Sequence, residues 1–228
     1  MDVVIPESVE RIDMYAFKGC TSLTTLFIPE TVTWIEEHAF EGCTGLETLV
    51  CSEMFQSIYR DCINLKKVII PTGIETIIDS AYEGCDMLES IVIPDTVTHI
   101  GEAAFAGCKK LVSIDMANSV LEIGVYAFYG CKNLKKVVIP ESVKEIGPGA
   151  FSYCTCLESV VIPDSIEEIA SDAFVGCPNI KDFQCVKYSL EDVSQDPDSD
   201  FDLLVDEDDP EFKEFMDKYG LKLYESKG

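Results

Sequence analysis

Apolar positions recur along this chain in one fixed order and at one fixed spacing. In the second unit they are Leu23, Leu26, Ile28, Pro29, Val32, Ile35, Ala39, Phe40 and Cys43. Leu23 to Ile28 is predicted as a short strand, because Leu26 and Ile28 fall on one face by two-residue alternation. Pro29 ends it, having no N–H to give to a ladder. Val32 and Ile35 point back into the core, and Ala39-Phe40 makes the return turn. Gly42 supplies backbone freedom at the corner. The beat is clearest in Cys20, Cys43, Cys62, Cys85, Cys108, Cys131, Cys154 and Cys177, where six of seven intervals are 23 residues and Cys43 to Cys62 is 19. Such a period marks a solenoid, in which no unit buries its apolar face alone. The expected fold is an α/β-type or mainly-β repeat solenoid of about eight coils of 23 residues. With strands about 4.8 Å apart, the Cys column would span roughly 34 Å. Its core would stack Phe17, Phe40, Phe105, Phe128, Phe151 and Phe174 in one column, with Tyr82 substituting once.

The stretches IPDTVTHIGEAAFAGC (Ile93 to Cys108) and IPESVKEIGPGAFSYC (Ile139 to Cys154) carry a family likeness. The chain resembles the BspA-like, or Treponema pallidum type, leucine-rich repeats over residues 1–186. The resemblance implies a right-handed arc with a parallel sheet on its concave face. It also implies binding or adhesion, and it brings no catalytic residues. Two lapses interrupt the pattern. The repeat at about 44–62 has lost four residues between Ser52 and Cys62, has Cys51-Ser52 where Ile-Pro is expected, and lacks Ala-Phe. The sixth strand has Met116-Ala117 in place of Ile-Pro. These are the places where shape would depart from the regular array, although ordinary drift in a tolerant repeat is the favoured explanation. Met1 falls inside a repeat, so this repeat is itself a cap or a preceding cap has been removed.

Charge narrows the partners. The formal net charge is −25; residues 191–228 hold 14 Asp/Glu and 4 Lys, a net of −10, which leaves −15 for the repeats. Phosphate backbones and anionic lipid surfaces need the opposite sign, so nucleic acid is not expected as a partner. No apolar run reaches the length of a membrane span, so no membrane insertion is expected. The 11 cysteines are an odd number, and only Cys51, Cys156 and Cys185 lie outside the repeat column. That placement points to buried free thiols and a cytoplasmic, reducing or anaerobic setting, with the cell surface as the location if this is a fragment.

The outward residue of each strand forms a column: Val4, Phe27, Val50, Ile69, Val92, Asp115, Val138, Val161 and Gln184. Seven of these nine are apolar where solvent should be, which marks an interaction surface unless β-propensity alone selected them. Phe27, Val50, Ile69, Val92, Asp115, Val138 and Val161 are therefore the candidate contact residues for a protein partner. Beside them run Glu47, Lys66, Glu89, Val112, Lys135, Glu158 and Lys181, with signs alternating wherever neighbours are charged. Such pairs fix register and solubility more than recognition. His38 and His99 sit at different repeat positions, so no catalytic set, cofactor site or zinc site is suggested.

After Lys187 the character changes, and 187–208 reads as an acidic linker. Asp196, Asp198, Asp200, Asp202 and Glu207 match positions of a calcium loop, but Phe201 stands where that loop needs Gly. A solvated linker fits this segment better than a calcium site. Residues 209–228 open with Asp209-Pro210 as helix start and carry Gly220 as a stop. Phe212, Phe215, Met216 and Tyr219 make one apolar stripe, expected to pack on the last repeat or to dock on a partner. The expected function is a non-enzymatic protein-interaction module; the alternative is a fragment of a microbial surface adhesin for host protein or glycan.

Overall fold

The computed structural model describes residues 3–36, 38–51, 64–70 and 72–195. One compact unit covers Met1–Gln195, and a second, Asp196–Gly228, lies outside the described residues. The calcium-loop residues Asp196, Asp198, Asp200 and Glu207 and the apolar stripe of Phe212, Phe215, Met216 and Tyr219 lie there too.

Each complete coil contributes two strands. The first coils carry β1 (Val3–Val4), β2 (Arg11–Ile12), β3 (Thr25–Ile28), β4 (Trp34–Ile35) and β5 (Thr48–Cys51). The middle coils carry β6 (Lys67–Ile69), β7 (Thr76–Ile77), β8 (Ser90–Ile93), β9 (His99–Ile100), β10 (Ser113–Met116) and β11 (Glu122–Ile123). The last carry β12 (Lys136–Val138), β13 (Glu145–Ile146), β14 (Ser159–Val161), β15 (Glu168–Ile169) and β16 (Asp182–Gln184).

The longer strands pair in parallel as a six-stranded sheet, β1-β3-β5-β6-β8-β10, and a three-stranded sheet, β12-β14-β16. Register follows the repeat, with Leu26 beside Leu49, and Ile91 beside Ile114. The short repeat does not disturb it: Thr48 pairs with Lys67 and Val50 with Ile69. The four missing residues therefore fall between β5 and β6 and not in the ladder. The break between the two sheets falls at the Met116-Ala117 lapse. There the inward residues Ile114 and Met116 are only half-buried, whereas Ile91 and Ile93 are buried.

The expected core columns are present as one continuous cluster. Phe105 and Phe128 stack at 5.1 Å and 2° between planes, and the Phe128–Phe151 and Phe151–Phe174 pairs follow at 5.2 and 5.3 Å. At the C-terminal end Phe183 meets Phe174 edge-on at 5.8 Å and stops the stack. Offset and edge-to-face rings both exploit the aromatic quadrupole.

The corner after Ala-Phe is held by a further set of bonds between coils. Ala103, Phe105 and Gly107 donate their N–H groups to the carbonyls of Val125, Ala127 and Tyr129 in the next coil, at 2.8, 2.7 and 2.8 Å. Aiming the outer two N–H groups along the stack requires left-handed backbone. Gly107 has φ of 73° and Ala103 of 50°. Glycine takes the first freely, while Ala103 and its column equivalents His38, Ser80 and Tyr126 hold it at a cost of about 1–2 kcal/mol each. The inter-coil hydrogen bonds offset that strain.

The segment expected to begin an acidic linker instead starts as ordered structure. A short 3-10 turn at Glu191–Val193 buries Val193 completely. The carbonyl of Val193 accepts the Phe174 N–H at 2.9 Å, the role played by the alanine carbonyl of the next coil elsewhere in the array. Residues 188–195 thus close the open end of the last coil.

Candidate interaction surface

Burial alternates along the strands of the main sheet, so Thr25 and Phe27, Lys67 and Ile69, Ser90 and Val92, and Lys136 and Val138 face outward, the second of each pair in the apolar column. Val4 is 84% exposed, Phe27 57%, Val92 61%, Val138 50% and Ile69 44%. Val50 and Val161 are half-buried, so the stripe is uneven. Register makes Val4, Phe27, Val50 and Ile69 direct neighbours in successive strands. Val92 faces Asp115, and Val138 faces Val161, which faces Gln184. Asp115 is exposed and lies at the last strand of the six-stranded sheet, so it ends one apolar run where the other sheet starts another. All seven expected contact residues share this face.

Two ion pairs form in the neighbouring charged column. Lys66 Nζ lies 2.7 Å from Glu47 Oε1, and Lys181 lies 4.0 Å from Glu158. The hydrogen bond from Lys66 to Glu47 raises the lysine pKa, supported by the attraction of the same carboxylate. Both side chains are largely exposed, so the pair contributes little to stability.

A second outward column escaped the sequence reading. The two-residue strands β7, β9, β11, β13 and β15 form their own parallel ladder, as do β2 and β4. Their outward residues are Arg11, Trp34, Thr76, His99, Glu122, Glu145 and Glu168. Arg11 lies 5.9 Å from the Trp34 ring centroid, within cation–π range. Arg11 also pairs with Glu36, and its pKa is raised by its hydrogen bond to Asp13 and then by Glu36. Trp34 therefore belongs to a structured ladder. The signal was the dipeptide of a variable residue before Ile at a constant repeat position, as in His99-Ile100 and Glu145-Ile146.

His99 Nε2 lies 3.9 Å from Glu122, and Thr98 Oγ1 lies 2.8 Å from His99 Nδ1. Among the described residues no group of three or more His, Cys, Asp or Glu is placed to hold a metal ion. Nor is any described helix long and apolar enough to cross a membrane.

Stacked parallel strands with inward columns repeated at a 23-residue period define a leucine-rich repeat solenoid. The chain belongs to the BspA-type leucine-rich repeat family, whose model matches residues 1–88 and 75–196 in six copies. Repeats of this kind typically serve as non-enzymatic interaction modules. Among solved structures it is similar to a leucine-rich cell surface protein from Faecalibacterium prausnitzii, with 30% identity over 84% of this chain and 55% of that one, and a TM-score of 0.56. It is also similar to a leucine-rich repeat protein from Bacteroides ovatus, with 30% identity over 77% of this chain and 52% of that one, TM-score 0.59. The pneumococcal vaccine antigen PcpA shares the fold at 21% identity and TM-score 0.50, over 80% of this chain and 50% of that one. The chain thus spans about half the length of these relatives. No curated protein matches it.

Proposed function

We propose that this solenoid is a non-enzymatic protein-binding module whose partner lies across the exposed face of the main sheet. The observation that carries the reading is the exposed apolar row of Val4, Phe27, Ile69 and Val92, resumed beyond Asp115 by Val138. Contiguous apolar surface of this kind is costly to leave wet and is a usual mark of a contact site. The partner is a protein; nucleic acid and membrane insertion do not enter this reading, given the net charge of −25. Affinity capture from native lysate, comparing wild type with the Val92→Asp/Val138→Asp double variant, should show at least one bound protein lost by the variant. Identical catches would remove the stripe as the site.

A second reading, a cell-surface adhesin fragment, is favoured by the surface assignment of the Faecalibacterium relative. The cysteine column supports instead a reducing or anaerobic setting, since Cys108, Cys131 and Cys154 are buried thiol donors. Thiol titration of native material separates the two: one or no disulfide fits the reducing setting, whereas several would favour export.

A further inference from the structure

Sign of charge along the main-sheet side reverses in one place. Between Lys109 and Lys136 the sequence holds five lysines, Lys109, Lys110, Lys132, Lys135 and Lys136, against two acids, Asp115 and Glu122. Glu122 belongs to the second ladder, so of these two acids Asp115 alone lies on the main-sheet side. This is a local excess of positive charge in a chain whose net charge is −25.

The neighbours of these lysines do not neutralise them. Lys109 pairs with Asp86 at 3.0 Å. Lys110, Lys132, Lys135 and Lys136 are exposed and form no ion pair among the described residues. Lys132 stands one coil after Lys109 at the same repeat position, so like charges face each other along the stack. Glu158, the acid one coil beyond Lys135, reaches toward Lys181 instead. On the other side of Lys135 the column offers Val112, 44% exposed, whose carbonyl accepts the Lys135 N–H at 3.5 Å. Exposed Val138 completes the strip.

We propose, resting on the protein-binding reading above, that this part of the sheet face docks an acidic polypeptide segment in which Asp or Glu is interspersed with apolar side chains. Its carboxylates would meet Lys132, Lys135 and Lys136, and its apolar residues would cover Val112 and Val138. The segment needs both kinds of side chain on the side it turns to the sheet, because Val112 stands in the same column as Lys135. A short segment is favoured over nucleic acid by range. Within a screening length of about 8 Å at physiological salt the lysines dominate, but a long polyanion also feels the acidic remainder of the molecule.

The test uses the full chain and three variants. One is Lys132→Glu/Lys135→Glu/Lys136→Glu, whose side chains are exposed and leave the core untouched. The others are Val92→Asp/Val138→Asp and Phe27→Asp. A fluorescent 12-residue peptide of interspersed Glu and Leu, its Gln/Leu counterpart and a heparin oligosaccharide serve as probes, alongside selection from a displayed random 12-residue library. Expected is binding of the Glu/Leu peptide, weakened at least about tenfold by the lysine reversals and by raising salt from 50 to 300 mM. Selected peptides should be acidic and should likewise be lost on the lysine variant. Equal binding of Glu/Leu and Gln/Leu peptides, or heparin binding without peptide binding, would overturn the acidic-segment proposal. Selected peptides that are not acidic, yet are lost on an apolar-stripe variant, would overturn it while leaving the sheet face as a protein-binding site. A library yielding nothing sensitive to any variant would overturn both.

Discussion

At the residue scale, the cysteine column has a chemical reason beyond size. Cys43, Cys108, Cys131, Cys154 and Cys177 each donate an S–H to the carbonyl of the Phe or Tyr 26 residues earlier, at 3.0 to 3.3 Å. Serine could make the bond but would be costlier to bury; alanine could be buried but could not donate. Burial in this apolar column pushes the thiol pKa of Cys131 upward. The same cause acts first on Cys108 and Cys154, with neighbouring thiols adding to it. The folded state therefore keeps protons that the unfolded chain gives up above its thiol pKa, near 9.0. The stabilisation is complete below that pH and is lost as pH rises from there toward the folded values. Each buried thiol steepens the loss by up to about 1.4 kcal/mol per pH unit. Thermal melting from pH 7 to 10.5 should show Tm falling above about pH 9. Cys131→Ala should melt lower at pH 7, by about 1–2 kcal/mol, but with a shallower alkaline decline. Cys156→Ala, at an exposed site, should follow the wild-type curve; equal slopes for all three proteins would show that thiol burial does not govern alkaline stability.

At the element scale, the unit of cohesion is the contact between one coil and the next. Phe105 is completely buried with Tyr82 stacked at 5.2 Å on one side and Phe128 at 5.1 Å on the other. Phe17 is half-buried, with Phe40 stacked at 5.3 Å. Phe105→Ala should cost about 3–5 kcal/mol in urea unfolding, and Phe17→Ala clearly less. Equal costs would deny that the rings form a continuous column. These inward columns were legible in sequence because one side chain at one position repeats in coil after coil. The outward main-sheet column was legible for the same reason, being fixed by the parity of Leu26 and Ile28. The second ladder was hidden because each of its strands is two residues long, too short for alternation to stand out. The corner bonds were hidden as well. Left-handed backbone is signalled by glycine at Gly107, but its equivalent at Tyr153 and the column of Ala103 and Tyr126 carry no such mark. Tyr126 fits because the next coil has Gly149 at the same position, where a Cβ would come within 2.3 Å of the Tyr126 ring. That accommodation belongs to two coils together and is invisible in either alone. The lysine patch was hidden too, because an overall charge of −25 says nothing about where its exceptions gather.

At the scale of the whole molecule, an array in which each coil touches only its neighbours depends on how its ends are closed. The sequence pointed to the segment 209–228 as the C-terminal cover. The structure places a cover earlier, within the same compact unit that ends at Gln195. Val193 is buried and gives its carbonyl to Phe174, Tyr188 donates its hydroxyl to the Glu167 carbonyl at 3.2 Å, and the Gln195 N–H reaches the Ser171 carbonyl at 2.9 Å. Removing this turn would uncover Phe174 and Phe183 and leave the Phe174 N–H without its acceptor. A chain cut after Gln195 should therefore melt within about 2 °C of the full-length protein, a shift corresponding to less than about 1 kcal/mol. A chain cut after Lys187 should lose at least about 3 kcal/mol in urea unfolding, from the apolar area of Val193 and the two phenylalanines returned to water. Hydrogen exchange localises the effect: the Phe174 amide should stay protected after the first cut and exchange freely after the second. If the chain cut after Gln195 aggregates or loses Phe174 protection, closure of the array requires residues 196–228 and the 3-10 turn is insufficient.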